Sequence, residues 1–280
     1  MRVPLHIVEA RRDKLANLIE THRYLPLKEL CDRLGVSVAT ARRDLAELAK
    51  RNVVKRTHGG ALAEFNERFP SFNERRSLGG VGKQKVAKAA ARFIEPGGTY
   101  FLDSGTTIFA MAEYLREAPA APVTIVTSNL PVGELLAGVE GVSVYLTAGQ
   151  ILGRQSVLLG ETALHSLRFW NFDIAFLSAE AANADGVWNS QEAIVEMQRV
   201  AMERSKRVLL CLAETKIGAT APQSLATWDR IDTLLTDARP ERLRRAGILP
   251  GFSGVIGCNA APPLPPRFVG NAPELPVHYL

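Results

Sequence analysis

Asp103, Ser104, Gly105, Thr106 and Thr107 stand in a row between an apolar run, "TYFLD", and a helical pattern. Three hydroxyls, a glycine that leaves backbone N–H groups uncovered and the positive end of a helix dipole suit a phosphate or another oxyanion. A hydroxyl before a helix also serves as a plain cap, so this loop gains weight only from its company. Ser128 and Asn129 close the next apolar run, Gly149 and Arg154 follow another in "TAGQILGRQ", Glu180 lies in "SAEAA" and Lys216 in "AETK". Hydroxyls, an arginine and a lysine at successive strand ends can converge on one anion through charge-assisted hydrogen bonds.

A second chemistry sits at the front of the chain. The first sixty residues hold 13 Lys and Arg against 7 Asp and Glu, and the other 220 hold 21 against 22. All the excess of the +5 net charge therefore belongs to the head, as in a polyanion-binding module on a neutral body. Three helices are expected there, over about 6–23, from Pro26 to a stop at Gly35, and from a Ser37 cap to about Arg51. A short helix, a glycine turn and another helix is the helix-turn-helix pattern. At about 100° per residue, Leu45 and Leu48 share the face of Ala41, while Ala39, Arg43 and Lys50 lie opposite and Thr40 and Arg42 flank them. Arginine there can bond a guanine edge, and Ala or Thr can meet a thymine methyl. Asp44 points toward the buried side, where it either pairs with an arginine or repels phosphate. "NVVKRTHGGA" follows as a β-ribbon with Lys55, Arg56 and His58 near a turn at Gly59-Gly60, a wing suited to phosphate or minor-groove contact.

The elements that must hold the anion loops are α/β in type. Apolar strand patterns fall at 99–103, 123–128, 142–148, 173–179, 207–213 and 231–237, with helical patterns at 82–94, 106–117, 130–138, 161–169 and 189–205. Fully apolar strands alternating with helices imply a parallel sheet covered on both faces, and such sheets bind ligands at the carboxyl ends of their strands. Asn189 and Glu192 have capping-box spacing. The division expected is a winged helix-turn-helix domain at 1–61, a polar linker at 62–82, an α/β domain at 83–249 and a Pro-rich tail at 250–280, with seven prolines in the last 31 residues. No run reaches the roughly 18 apolar residues of a membrane helix, and the N-terminus does not read as a signal peptide. Three scattered cysteines show neither a disulfide framework nor zinc spacing, so a cytoplasmic protein without metal or cofactor is expected.

"RRDLAELAKRNVVKRTHGGA" closely resembles the signature of the DeoR family of bacterial transcriptional regulators, with Arg42, Arg43, Asp44 and Leu45 in the helix and Arg56, His58, Gly59, Gly60 and Ala61 in the wing. "FLDSGTT" matches the family's first sensor loop; "VTSNLPV" and "AETKIG" resemble two later ones. The resemblance implies a sensor domain similar to sugar-phosphate isomerases and a repressor of carbohydrate genes, whose binding to double-stranded operator DNA responds to a phosphorylated sugar or related metabolite. Two departures are visible: Ala41 where the family carries Ile or Val, and Glu180 in a loop that has lost both glycines. A homo-oligomer contacting repeated half-sites is expected. The competing reading is a sugar-phosphate isomerase or deaminase with a nucleic-acid-binding appendage, for which Asp103 and Glu180 are the candidate bases; neither brings an acid partner, and no catalytic residue is assigned.

Overall fold

The computed structural model describes residues 4–22, 24–51, 53–56, 60–63, 70–78 and 80–259. The head runs α1 (Leu5–His22), β1 (Tyr24–Pro26), α2 (Leu27–Leu34), α3 (Val38–Lys50), β2 (Val54–Arg56) and β3 (Gly60–Ala63). Leu15, Ile19, Leu25, Leu30, Leu45, Leu48 and Val54 form its core, and Ala41 is fully buried. Gly35, at φ 64°, supplies the left-handed residue after α2. Ser37 caps α3, accepting the Thr40 N–H at 3.3 Å.

Pro26 does not open α2; it ends a strand that pairs with β3, and the sheet order is β1-β3-β2. Proline holds the residue before it extended, and this converts the expected two-stranded ribbon into three strands. Gly59, placed in the ribbon's turn, lies outside the described residues.

Asp44 is 2% exposed and takes both Arg11 Nε (2.6 Å) and Arg12 Nε (3.1 Å), which ties α3 to α1. Of the two fates open to Asp44, pairing is realised. Removing one partner of a buried ion pair strands the other charges, so Asp44→Ala should cost the head about 3 kcal/mol. In thermal unfolding of the variant, an unchanged melting point would contradict the tie.

The body contains α4 (Phe72–Ser77), α5 (Gly80–Ala91), β4 (Thr99–Leu102), α6 (Thr106–Glu117), β5 (Val123–Thr127), α7 (Leu130–Leu136), β6 (Val142–Leu146), β7 (Gln150–Leu152), β8 (Val157–Leu159), α8 (Glu161–Arg168), β9 (Phe172–Leu177), β10 (Ala181–Asn183), β11 (Gly186–Asn189), α9 (Glu192–Glu203), β12 (Ser205–Cys211), β13 (Gln223–Ala226), β14 (Thr233–Thr236), α10 (Pro240–Arg245) and β15 (Val255–Gly257). Seven parallel strands form one sheet in the order β15-β14-β12-β9-β4-β5-β6. Alternation along β4 sends Phe101 into the core with α8 and α9, and Tyr100 and Leu102 into the core with α5, α6 and α7. The chain starts mid-sheet at β4, steps outward to β6, then returns to β9 on β4's other side. The carboxyl ends of β4 and β9 thus flank the reversal of strand order, where doubly wound sheets take their ligands.

Two stretches differ from the sequence reading. Inside the segment expected to be a linker, α4 forms, started by a Ser71–Glu74 capping box and fixed by Phe72, 2% exposed. In the expected tail, Val255 and Ile256 extend the sheet beside β14; β-branched residues suit that edge. Residues 260–280 lie outside the described residues.

Candidate functional site

On α3, Ser37, Ala39, Arg42 and Arg43 are exposed, and Thr40 is half-buried with Oγ1 3.0 Å from Ser37 Oγ. Among the described residues Arg42 and Arg43 make no ion pair, whereas Arg51 forks onto Glu9 at 2.8 and 3.1 Å. That hydrogen bond holds the Glu9 carboxyl down to about 2, so Arg51 is a tie between helices. Lys55 and Arg56 stand on β2; His58 lies outside the described residues. A cationic helix face beside a ribbon is the geometry of groove reading.

In the body, the loop after β4 is locked across the sheet's switch point. Asp103 is 3% exposed, and its Oδ2 accepts Ser178 N–H (2.9 Å), Ser178 Oγ (2.7 Å) and Gln198 Nε2 (2.8 Å). Ser104 Oγ reaches Oδ1 at 3.5 Å. Asp103, expected as an effector contact, therefore faces the protein and staples the β4 loop to the β9 loop. Gly105 fits the same junction, since a Cβ there would lie 1.9 Å from Ser178 Oγ. Thr106 and Thr107 begin α6 and are buried.

Next to this loop, Thr127 Oγ1 donates to Leu102 O (2.6 Å) and accepts Asn129 N–H (3.0 Å). Ser128 is buried, and Asn129 Oδ1 caps α7 through Val132 N–H (3.3 Å). Asn129 Nδ2 and Thr147 Oγ1 are buried and meet no hydrogen-bonding partner among the described residues. These are two unsatisfied buried donors at adjacent strand ends, and such donors can take acceptors from outside the chain.

On the other side of β4, Lys216 Nζ donates to Ala179 O at 2.6 Å, and Ser190 Oγ donates to Glu180. Asn189 does not cap α9, whose N-cap is Gln191. It is buried between Glu180 N–H (2.9 Å) and Gln198 Oε1 (2.7 Å), because Gln198, inward on α9, offers it a better partner than an exposed helix end. Glu192 is exposed.

Sequence reading missed Arg75 and Lys83. Arg75 Nη2 donates to the buried Gln155 Oε1 at 2.6 Å, and Lys83 Nζ donates to Arg75 O. Burial pushes the Lys83 ammonium down to about 8, helped by the nearby charges of Lys216 and Arg75. Burial also lowers Lys216 and Arg75, opposed in both by Glu180 and Asp103. Arg154 is partly exposed and lies 3.7 Å from Glu74 on α4. Three cations thus crowd against two carboxylates at the strand ends, an arrangement that an incoming anion relieves. The legible clue to Arg75 was Ser71-x-x-Glu74 beside an aromatic; polar composition hid it. Among the described residues no His, Cys, Asp and Glu cluster is arranged to hold a metal ion, and no helix is long and apolar enough to cross a membrane.

The DeoR C terminal sensor domain model matches residues 80–238, and the DeoR-like helix-turn-helix domain model matches residues 11–67. The chain belongs to the DeoR family. It is similar to the putative aga operon transcriptional repressor of Escherichia coli O157:H7, 30% identical over 85% of this chain and 91% of that one. The HTH-type transcriptional repressor GlcR of Bacillus subtilis (strain 168) is 28% identical over 84% and 90%. The glycerol-3-phosphate regulon repressor of Escherichia coli (strain K12) is 29% identical over 82% and 91%. Among solved structures, a D-ribose-5-phosphate isomerase in complex with phospho-erythronic acid aligns over 48% of this chain and 52% of that one, at 16% identity and a TM-score of 0.34; so loose a superposition says nothing about chemistry. As a DeoR-family protein the chain is a DNA-binding transcriptional regulator and not an enzyme. Asp103, one of the two candidate bases of the isomerase reading, has its Oδ2 occupied by three donors.

Proposed function

We propose that this regulator is a repressor whose hold on operator DNA changes when a phosphorylated sugar or related metabolite binds at the strand ends of its sensor domain. The observation that carries the reading is the gathering of Lys216, Lys83 and Arg75 near one another, with Lys216 and Arg75 close to Asp103 at the start of the Ser104–Thr107 loop, together with the open donors of Asn129 and Thr147. A phosphoryl group adds negative charge beside those cations and the acceptors that those donors lack. The names of relatives, a glycerol-3-phosphate regulon repressor among them, agree with that class. A lone winged domain gives modest affinity, so two or more copies on repeated half-sites complete the proposal. Binding to chromosomal DNA and three buried free cysteines fit the cytoplasm.

Titration calorimetry with a panel of phosphorylated and unphosphorylated sugars tests the reading. A phosphorylated compound should bind, and Lys216→Met should weaken it by about 10–100-fold, the worth of a hydrogen bond to a charged group. Lys83 is cationic below about 8, so affinity should fall as pH rises through that value, and Lys83→Met should flatten the fall. Equal affinity for the unphosphorylated sugars would refute the proposal.

A further inference from the structure

The cations of the anion site are not all the sheet's own. Helix α4 is the first described helix after β3, which ends the head. It is held to the body in two unlike ways. On one side Phe72 packs edge-on against Phe109 at 5.5 Å. Arg76 lies 4.4 Å over the same ring and pairs with Glu113 at 2.8 Å. Both partners are on α6, the helix that the anion loop opens. On the other side the ties are Arg75 to Gln155, Lys83 to the Arg75 carbonyl and Arg154 toward Glu74.

The chemistry of the second set is unequal. Arg75 and Lys83 are half-buried, and the bonds that hold α4 here, from Arg75 Nη2 to an amide oxygen and from Lys83 Nζ to a peptide carbonyl, end on neutral acceptors. A hydrogen bond to an ionised oxygen is roughly twice as strong as one to a neutral oxygen. An anion arriving at the strand ends therefore offers both cations a better partner than α4's present anchor. The apolar tie at Phe72 offers an anion nothing and stays.

We infer that Arg75 is both an anion-binding residue and the link by which the occupied site resets α4: the guanidinium leaves Gln155 for the ligand's phosphoryl oxygens, Lys83 releases the Arg75 carbonyl, and the helix turns about Phe72. The head is joined to that helix by the chain that precedes it, so site occupancy reaches the DNA-binding domain without passing through the sheet. The inference rests on the anion-site reading above and adds its route of output.

Hydrogen exchange of the full chain, with and without inorganic phosphate at matched ionic strength in sodium chloride, separates the two ideas. Phosphate should protect 103–107 and 128–130 and change exchange in 70–78. In Gln155→Leu, which removes the anchor and leaves every cation in place, 70–78 should already exchange faster without phosphate, and the phosphate-dependent change there should be lost while the loops remain protected. Arg75→Gln should likewise lose the change in 70–78. Protected loops with 70–78 indifferent in the wild type would overturn the link and leave the site reading intact. A full-sized response of 70–78 in Gln155→Leu would overturn it as well. No effect of phosphate at any loop would remove the site and the inference together.

Discussion

Asp103→Ala should lower the stability of the sensor domain by about 3 kcal/mol, in the range for removing one member of a buried charged network, and with it abolish the metabolite response. The carboxylate is the meeting point of donors from two strand-end loops and from α9. Alanine leaves the Ser178 hydroxyl and amide without that acceptor, and each stranded group costs about 1–3 kcal/mol. It also takes a negative charge from beside Lys216 and Arg75, both already strained by burial. For a domain of this size the melting transition should drop by roughly 10 °C. Asp103→Asn keeps the shape and one acceptor oxygen, and should recover part of the loss. Calorimetric scans of the three proteins measure this; an alanine variant that melts with the wild type but fails to bind anion would reassign Asp103 from staple to ligand contact.

The second large effect belongs to the head. Arg43→Ala should weaken operator binding by roughly 1–3 kcal/mol, about 10–100-fold, and relax base preference at one position of each half-site. Arg43 is exposed on α3, opposite the stripe formed by Ala41, Leu45 and Leu48, and the equally exposed Arg42 stands beside it. Arg51, nearby in sequence and of the same charge, is spent on Glu9, so Arg51→Ala should leave base preference unchanged. Sites recovered from a random duplex pool by each variant, followed by titration at one fixed salt concentration, give the comparison. Identical recovered sites for wild type and Arg43→Ala would show that α3 does not read the groove.

Much of this was written in local pattern. Strands β4, β5, β9, β12 and β14 coincide with apolar runs because a doubly covered sheet needs apolar residues on both faces; β6 also coincides with one, although at the sheet edge it leaves Tyr145 and Leu146 exposed. Helix α3 came out of its 3.6-residue period, and Ser37 out of cap chemistry. What escaped is non-local or short. Which strands lie side by side depends on crossover connections, so nothing in "FLDSGTT" says that Asp103 turns toward Ser178 and Gln198. Helix α4 spans six residues in a polar stretch, too short for periodicity to register; it is held by one aromatic and a capping box. Asn189 has the spacing of a cap, but a polar Gln198 on the inward face of α9 was the stronger attractor.

The close approach of Gly105 to Ser178 has an evolutionary consequence. With no room for even a methyl group at Gly105 beside Ser178, position 105 cannot enlarge alone: a side chain there demands that Ser178 shift or shrink. If the strand ends hold the effector as proposed above, descendants of this gene would retune which metabolite they answer to by drifting at 147, 154 or 180, while the 105–178 pair changes only in concert.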